Sequence, residues 1–211
     1  AGRLPALPLP AVWVSKWVDY SKKYGLGYRL SNGNYGVFFN DATKVLVDQR
    51  GSGGARFDYM ERVRGDDGRK RDVRRACAFE GAPKELSKKV TLTEHFQSYL
   101  DQGGGGSQRA CGAEDGDEGA GGEGGGGVYV RKWMRTRHSV IFRLSDNSVQ
   151  VAFLDETELV LWESRRWVTY KSKGRARATY DVKDAAGMPE VAKRLKYVKD
   201  ILAQLVAPAQ T

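Results

Sequence analysis

Side chains that could carry out catalysis or bind a metal are few in this sequence. The 211 residues include two histidines, His95 and His138, and two cysteines, Cys77 and Cys111. We find no nucleophile–base pair, and no set of His, Cys, Asp or Glu has the spacing of a metal site. The sequence therefore predicts a chain without enzymatic activity, cofactor or metal, whose chemistry is the binding of another molecule.

Basic residues outnumber acidic ones and occur in clusters. There are 35 Lys and Arg against 26 Asp and Glu, which gives a formal net charge of +9. Residues 64–75 read RGDDGRKRDVRR and residues 171–177 read KSKGRAR. Such clusters can release counterions from nucleic acid. Few aromatic residues are interleaved with them and both fall in predicted hairpins, so protection of edge strands is favoured over nucleic-acid binding.

Composition excludes several classes of protein. With 40% hydrophobic and 10% aromatic residues, the chain has the composition of a globular protein. No apolar run approaches the ~18 residues of a membrane span. Prolines at positions 5, 8 and 10 interrupt the first apolar stretch, so no signal peptide is expected. Two cysteines cannot form a disulfide framework, which favours a reducing compartment.

A glycine-rich segment divides the chain. Residues 103–127 contain 13 glycines among 25 positions, together with five acidic residues and one basic residue. Such a segment cannot bury apolar surface, so it is predicted to be a flexible linker. The parts on either side are each long enough for a small domain.

The two parts resemble each other. Residues 28–47 read YRLSNGNYGVFFNDATKVLV, and residues 142–161 read FRLSDNSVQVAFLDETELVL. They align without a gap at an offset of 114, with seven identities in 20 positions. This similarity predicts a tandem repeat of one domain.

Each repeat has the pattern of an antiparallel sheet followed by a helix. Period-two apolar positions separated by Asn, Asp and Gly turns predict short strands, and further strands are expected at 56–63, 71–79, 166–171 and 175–181. Residues 25–27, GLG, are expected to form a short turn. Pro83 and Pro189 then open amphipathic runs that end at Leu100 and Val206. The predicted fold class is α+β.

Two stretches resemble a known family. Residues 17–28, WVDYSKKYGLGY, with residues 36–41, GVFFND, closely resemble the first polo box of polo-like kinases. Residues 132–137, KWMRTR, with residues 144–145, LS, and 148–151, SVQV, resemble the second box. The resemblance implies that two boxes pack together and that a cleft between them docks peptides carrying phosphorylated Ser or Thr. The expected boundaries are an N-terminal extension over 1–12, a first polo box over 13–102, the linker over 103–127 and a second polo box over 128–211.

The resemblance also implies where a peptide would bind. Trp17 matches the tryptophan that stacks on the peptide residue before the phosphate, and its flat face offers contact area at little entropic cost. Val18 and Asp19 would flank it, mainly through backbone groups. Leu154 and Arg135 of the second box are the other expected peptide-binding residues. A structural role for Trp17 in the core or between the boxes is the alternative.

At the phosphate-binding positions this sequence departs from the family. The family uses a His and a Lys two residues apart around a Thr, and the matching positions here are Glu156 and Glu158. Two carboxylates would repel a phosphate. Phosphate binding in the family's manner is therefore expected to be lost, unless Arg135, Arg137, Lys171 or Lys173 supplies another cationic site.

A second pocket is implied on the first helix. Its members would be Leu92, His95, Phe96 and Tyr99, with His95 in place of an aromatic residue. Core packing explains the three apolar members equally well.

The predicted function is a non-catalytic docking and targeting module of a polo-like kinase in cell-cycle and mitotic regulation. No kinase motif occurs in these residues. The expected partners are protein or phosphoprotein peptides, including the parent kinase domain, with no membrane. The expected location is cytoplasmic or nuclear, at sites such as the centrosome, kinetochore or basal body. The alternative is a divergent scaffold that binds unphosphorylated partners or itself, and nucleic-acid binding is less favoured; the sequence leaves the oligomeric state open.

Overall fold

The computed structural model of the chain describes residues 8–49, 56–102 and 127–206. The chain divides into two compact units. The first unit contains residues 11–130, and the second contains the residues from 131 onward together with residues 8–10. In the described ranges, no helix is long and apolar enough to cross a membrane.

The first unit contains a six-stranded antiparallel meander. Its strands pair in chain order, from β1 at one edge to β6 at the other. They are β1 (Val14–Tyr20), β2 (Gly25–Leu30), β3 (Tyr35–Phe39), β4 (Lys44–Val47), β5 (Arg56–Arg64) and β6 (Lys70–Ala78). Short turns join most of these strands, which is why neighbours along the chain pair antiparallel. A single turn of 3₁₀ helix, Lys84–Leu86, leads into helix α1 (Ser87–Asp101).

Helix α1 packs against one face of this sheet through Phe96 and Leu100. The Phe96 ring lies directly on the backbone of Gly27, where any Cβ would overlap it. Gly27 pairs with Val37 inside β2, so the expected turn at residues 25–27 is wrong: these residues are in the strand. A glycine is needed here because the helix approaches the sheet closely, not because the chain reverses.

The opposite face of the first sheet is also apolar and buried. Tyr28 is fully buried there, and Gly36 on the neighbouring strand leaves space for its ring. The hydroxyl of Tyr28 accepts a hydrogen bond of 3.1 Å from the backbone N–H of Val130. The contacts of residues 127–130 group them with the first unit, although Val130 also begins a strand of the second sheet. The start of the second box at residue 128 stays a prediction. The rest of the expected linker, residues 103–126, lies outside the described residues.

The second unit repeats the same plan. Its six-stranded sheet contains β7 (Val130–Arg135), β8 (Ser139–Leu144), β9 (Val149–Phe153), β10 (Glu158–Trp162), β11 (Trp167–Lys171) and β12 (Ala178–Asp181), paired in that order. A short helix α2 (Val182–Ala185) precedes helix α3 (Pro189–Val206). The apolar side of α3, with Val191, Val198, Ile201 and Leu202, packs on the sheet. The predicted α+β class, with a sheet and then an amphipathic helix in each repeat, is confirmed.

The turn before the fourth strand of each sheet is nearly identical in the two units. In the β3–β4 turn, Asp41 accepts hydrogen bonds from the Thr43 backbone N–H at 3.0 Å and the Thr43 hydroxyl at 2.6 Å. In the β9–β10 turn, Asp155 accepts the same two bonds from Thr157, at 3.1 and 2.6 Å. The residue between them has a positive φ in both units, 65° at Ala42 and 67° at Glu156.

Candidate functional site

The expected peptide-binding residues of the first unit lie on β1, an edge strand of the sheet. Trp17 and Asp19 are half-buried. They pair across β1 and β2 with Tyr28 and Leu26, so their side chains lie on the same face as that of Tyr28, opposite helix α1. Val18 points the other way and is 4% exposed in the core, so its side chain cannot touch a ligand there. Only the backbone of Val18 remains available to contact a peptide, which is the contact that the resemblance implies.

The expected second pocket is on the helix side of the same strand. The ring of Tyr20, 44% exposed, meets Phe96 and Tyr99 edge-on at centroid distances of 5.9 and 6.0 Å. Phe96 is a core residue, Leu92 packs partly against the same core, and His95 is exposed. The structure thus groups Tyr20 with these residues, although the sequence did not single it out.

Glu158 is buried, and its hydrogen-bond partners belong to the second unit. It opens β10, is 1% exposed, and its carboxylate accepts hydrogen bonds from Arg177 at 3.2 and 3.3 Å and from the Gln150 amide at 3.0 Å. Burial raises the pKa of the Glu158 carboxyl above its ordinary value, while the charge and hydrogen bond of Arg177, the charge of Lys171 and the Gln150 hydrogen bond oppose that rise. A carboxylate held in this way is part of the protein interior.

Glu156 is in the β9–β10 turn and is half-buried. Its carboxylate forms a salt bridge of 3.2 Å with Lys173 in the β11–β12 turn. Each of the two carboxylates therefore has a cation beside it. Leu154 is 66% exposed in the same turn, and Arg135 is exposed at the end of β7.

Arg177 and Gln150 are the residues that the sequence did not identify as partners of Glu158. Arg177 comes 19 positions later in the chain, and Gln150 eight positions earlier. Lys171 pairs directly with Glu158 across β10 and β11. The sequence shows basic residues at alternate positions over 171–177. That Glu156 and Glu158 are their partners could not be predicted, because it depends on how the strands pair.

Cysteine side chains and possible metal ligands are further groups that could give a site its chemistry. Cys77 is a free thiol on β6, and Cys111 lies outside the described residues. Within the parts of the chain that the structure describes, no three His, Cys, Asp or Glu side chains come together as a metal site.

Fold and site together define a class of protein: a tandem duplication in which each copy is a six-stranded antiparallel meander closed by a C-terminal helix. The family described as "POLO box duplicated region" matches residues 22–90 and 136–195, which is more than half of the chain. The chain belongs to the polo-box family.

Named relatives agree with this assignment. The chain is 43% identical over 162 residues to a probable serine/threonine-protein kinase CCRP1 of Zea mays, covering 77% of this chain and 24% of that protein. It is 32% identical over 210 residues to the serine/threonine-protein kinase plk-1 of Caenorhabditis elegans, covering 95% of this chain and 30% of that one. The chain therefore spans about a quarter to a third of the length of these curated relatives.

Solved structures show the same fold. The budding yeast Cdc5 polo-box domain in complex with an Spc72 phosphopeptide has a TM-score of 0.72 and 27% identity, over 94% of this chain and 72% of that one. The same domain with the Dbf4 polo-interacting region has a TM-score of 0.71 and 27% identity, over 96% and 75%.

Proposed function

We propose that this chain is the peptide-docking module of a polo-like kinase and directs that kinase to its partners during the cell cycle. The observation that carries the proposal is the match over nearly the whole chain to a polo-box domain solved with a phosphopeptide. The relatives that are kinases support a parent kinase for this module. Cytoplasmic or nuclear sites such as the centrosome, kinetochore or basal body are the locations where such targeting would act.

Trp17 is the proposed anchor for the peptide. Its indole is half-buried on an edge strand, where it can contact a ligand without being part of the helix-side core. Trp17→Phe should weaken binding of a Ser-Thr-Pro peptide at least tenfold while the melting temperature changes by less than about 2 °C. Trp167→Phe is the matched control, because Trp167 is also half-buried but lies in the second unit. A loss of several degrees on Trp17→Phe would mark this tryptophan as a packing residue.

We propose further that phosphorylation of the peptide adds little to its affinity, because Glu156 and Glu158 occupy the positions where the family binds the phosphate. Arg177 is already hydrogen-bonded to Glu158, and Lys173 is already paired with Glu156. A phosphate would have to compete with these carboxylates for the same cations. Fluorescence polarisation with a Ser-phosphoThr-Pro peptide and its unphosphorylated twin should give affinities within about threefold. A tenfold preference for the phosphorylated peptide would contradict this.

Restoring a phosphate site requires three changes. Glu158→Lys alone would place two cations together in a buried position, so Arg177→Met must accompany it. Glu156→His with Glu158→Lys and Arg177→Met should prefer the phosphorylated peptide at least fivefold. The control Glu156→Gln with Glu158→Gln and Arg177→Met has no added cation and should show no such preference. If both triple variants behave alike, these positions do not contact the phosphate.

A further inference from the structure

The edge strand β6 is a second candidate binding surface of the first unit, at the opposite edge of the sheet from Trp17. It is nine residues long, and among the described residues no strand pairs with its outer side. Most of its residues are exposed, and two large apolar side chains of the β5–β6 hairpin are exposed as well: Val63 at 43% and Val73 at 48%. A long open edge with exposed apolar side chains is a template for another strand.

The register shows which backbone groups face outward. Gly65 donates its N–H to the Arg69 carbonyl at 2.9 Å, so Gly65 and Arg69 form a hydrogen-bonded pair. Along an antiparallel hairpin every second residue pair is hydrogen-bonded, and the next such pair is Val63 with Arg71. The residues between them have their N–H and C=O groups directed to the open edge. On β6 these are Lys70, Asp72, Arg74, Ala76 and Ala78.

Charge determines which strand could pair with this edge. Residues 56–78 contain eight basic and five acidic residues, a net charge of +3. Asp72, the acidic residue within β6, has Lys44 at 3.4 Å and Arg62 at 3.6 Å, so its charge is compensated inside the unit. Pairing with a second copy of the chain would bring two hairpins of net charge +3 together. An antiparallel pair of β6 strands centred on Arg74 would also place Arg74 of one copy opposite Arg74 of the other, and like charges in this position are destabilising.

We infer that β6 binds an extended acidic peptide of a partner protein by strand addition. Acidic side chains of the peptide would lie beside Lys70 and Arg74 on one face of the sheet and beside Arg71 and Arg75 on the other. The three arginines form salt bridges with Asp67, Asp58 and Glu85, and the five N–H donors of each guanidinium allow it to bind a second carboxylate. An apolar side chain of the peptide would contact Val73, which lies between Arg71 and Arg75 on the helix-side face. Backbone bonds supply affinity in this mode, and the side chains select the partner. This surface does not depend on Trp17 or on Glu156 and Glu158.

The test uses the full 211-residue chain and a fluorescein-labelled peptide, Glu-Glu-Val-Glu-Val-Glu-Glu, at 50 mM salt. A peptide of the same sequence that is N-methylated at every residue keeps the charge and removes the backbone donors on both of its edges. The unmodified peptide should bind at least tenfold more tightly than the N-methylated one. Equal binding of the two peptides would show that charge alone holds the ligand and would overturn strand addition. This comparison is made on unmutated protein, so it does not depend on the folding of any variant.

Charge-reversal variants locate the surface. Lys70→Glu with Arg71→Glu should weaken binding at least fivefold. The control Lys193→Glu with Lys196→Glu makes the same change in net charge at exposed positions on α3 and should alter binding less than twofold. An equal loss in both variants would overturn the assignment to β6.

Other occupants give distinct results. If single-stranded DNA displaces the peptide at a lower concentration than unlabelled peptide does, the surface is a nucleic-acid site. If replacing the five acidic residues between 114 and 123 by Ser tightens peptide binding tenfold, the chain's own acidic segment is the occupant. If the unmutated chain elutes as a dimer and the Lys70→Glu, Arg71→Glu variant as a monomer, a second copy is the occupant. Each of these results would overturn the proposal.

Discussion

The two units have the same turn before their fourth strand and carry opposite charges directly after it. Lys44 opens β4 and Glu158 opens β10, and both are almost completely buried, at 2% and 1% exposure. Lys44 forms a salt bridge of 3.4 Å with Asp72, and Glu158 one of 3.2 Å with Arg177. In both units the buried charge is paired with a residue from a strand or turn further along the sheet.

The turn itself is held by the following helix in the same way in each unit. Lys89 of α1 contacts Asp41 at 2.6 Å and lies over the Phe39 ring. Arg194 of α3 contacts Asp155 at 2.8 Å and lies over the Phe153 ring. The turn and its helix contact are thus common to both units, while the residue after the turn differs in sign. Either sign is accommodated at that position, provided a counter-charge is supplied nearby.

Removing the counter-charge should have the largest effect. Arg177→Ala removes the salt bridge and two hydrogen bonds of the buried Glu158 carboxylate and leaves Lys171 as the nearby charge, so it should lower the free energy of unfolding by about 3 kcal/mol, measured by urea denaturation. Glu158→Leu with Arg177→Met removes both charges and should recover most of that loss. In the first unit, Lys44→Met should cost less, because the carboxylate left behind, Asp72, is less buried than Glu158 and still has Arg62 at 3.6 Å. Equal losses for Lys44→Met and Arg177→Ala would contradict this difference between the units.

The closeness of the helix to the sheet is a second difference between the units. Gly27 of the first unit corresponds to Ile141 of the second at the same offset of 114. Gly27→Ala should destabilise by about 1–3 kcal/mol, because the new methyl group would overlap Phe96. Phe96→Leu in the same chain should restore part of the loss. Thermal unfolding checks both; an unchanged melting temperature for Gly27→Ala would show that α1 can move away at no cost.

The shared turn should give the smallest effects, and they should be alike in the two units. Lys89→Ala and Arg194→Ala should each lower stability by about 0.5–1 kcal/mol, because the ion pairs are partly exposed. Unequal losses, with one variant neutral, would show that the two helix contacts are not equivalent.

The same ion pairs should respond to acid. Burial opposes ionisation of Asp41 and Asp155, but hydrogen bonds from the Thr residues of each turn and from Lys89 and Arg194 hold each pKa below the ordinary value of 3.8. A lowered pKa gives stability that is present above pH 3.8 and is lost as the pH falls through the folded-state value. The difference in melting temperature between each Ala variant and the unmutated chain should therefore shrink as the pH falls below 3.8 and stay constant from about pH 5 to 7.

Local patterns in the sequence predicted much of this fold. The offset of 114, the Asp-x-Thr turns and the apolar spacing of α3 each depend on residues close together in the chain, and all appear in the structure. The partner of Glu158 and the role of Gly27 could not be predicted in this way. Arg177 meets Glu158 only after β10 and β11 have paired, and Phe96 reaches Gly27 only after α1 has packed on the sheet.

The hydrogen bond from Val130 to Tyr28 also orders the steps of biosynthesis. These residues are 102 positions apart, so a nascent chain exposes all six strands and the helix of the first unit well before residue 130 has left the ribosome. Until then the buried phenol of Tyr28 lacks this donor, and closing so long a loop adds to the entropic cost of the contact. The first unit can therefore complete its packing only after residue 130 has been synthesised, and an expression fragment of that unit alone should extend through residue 130 and not stop at residue 102.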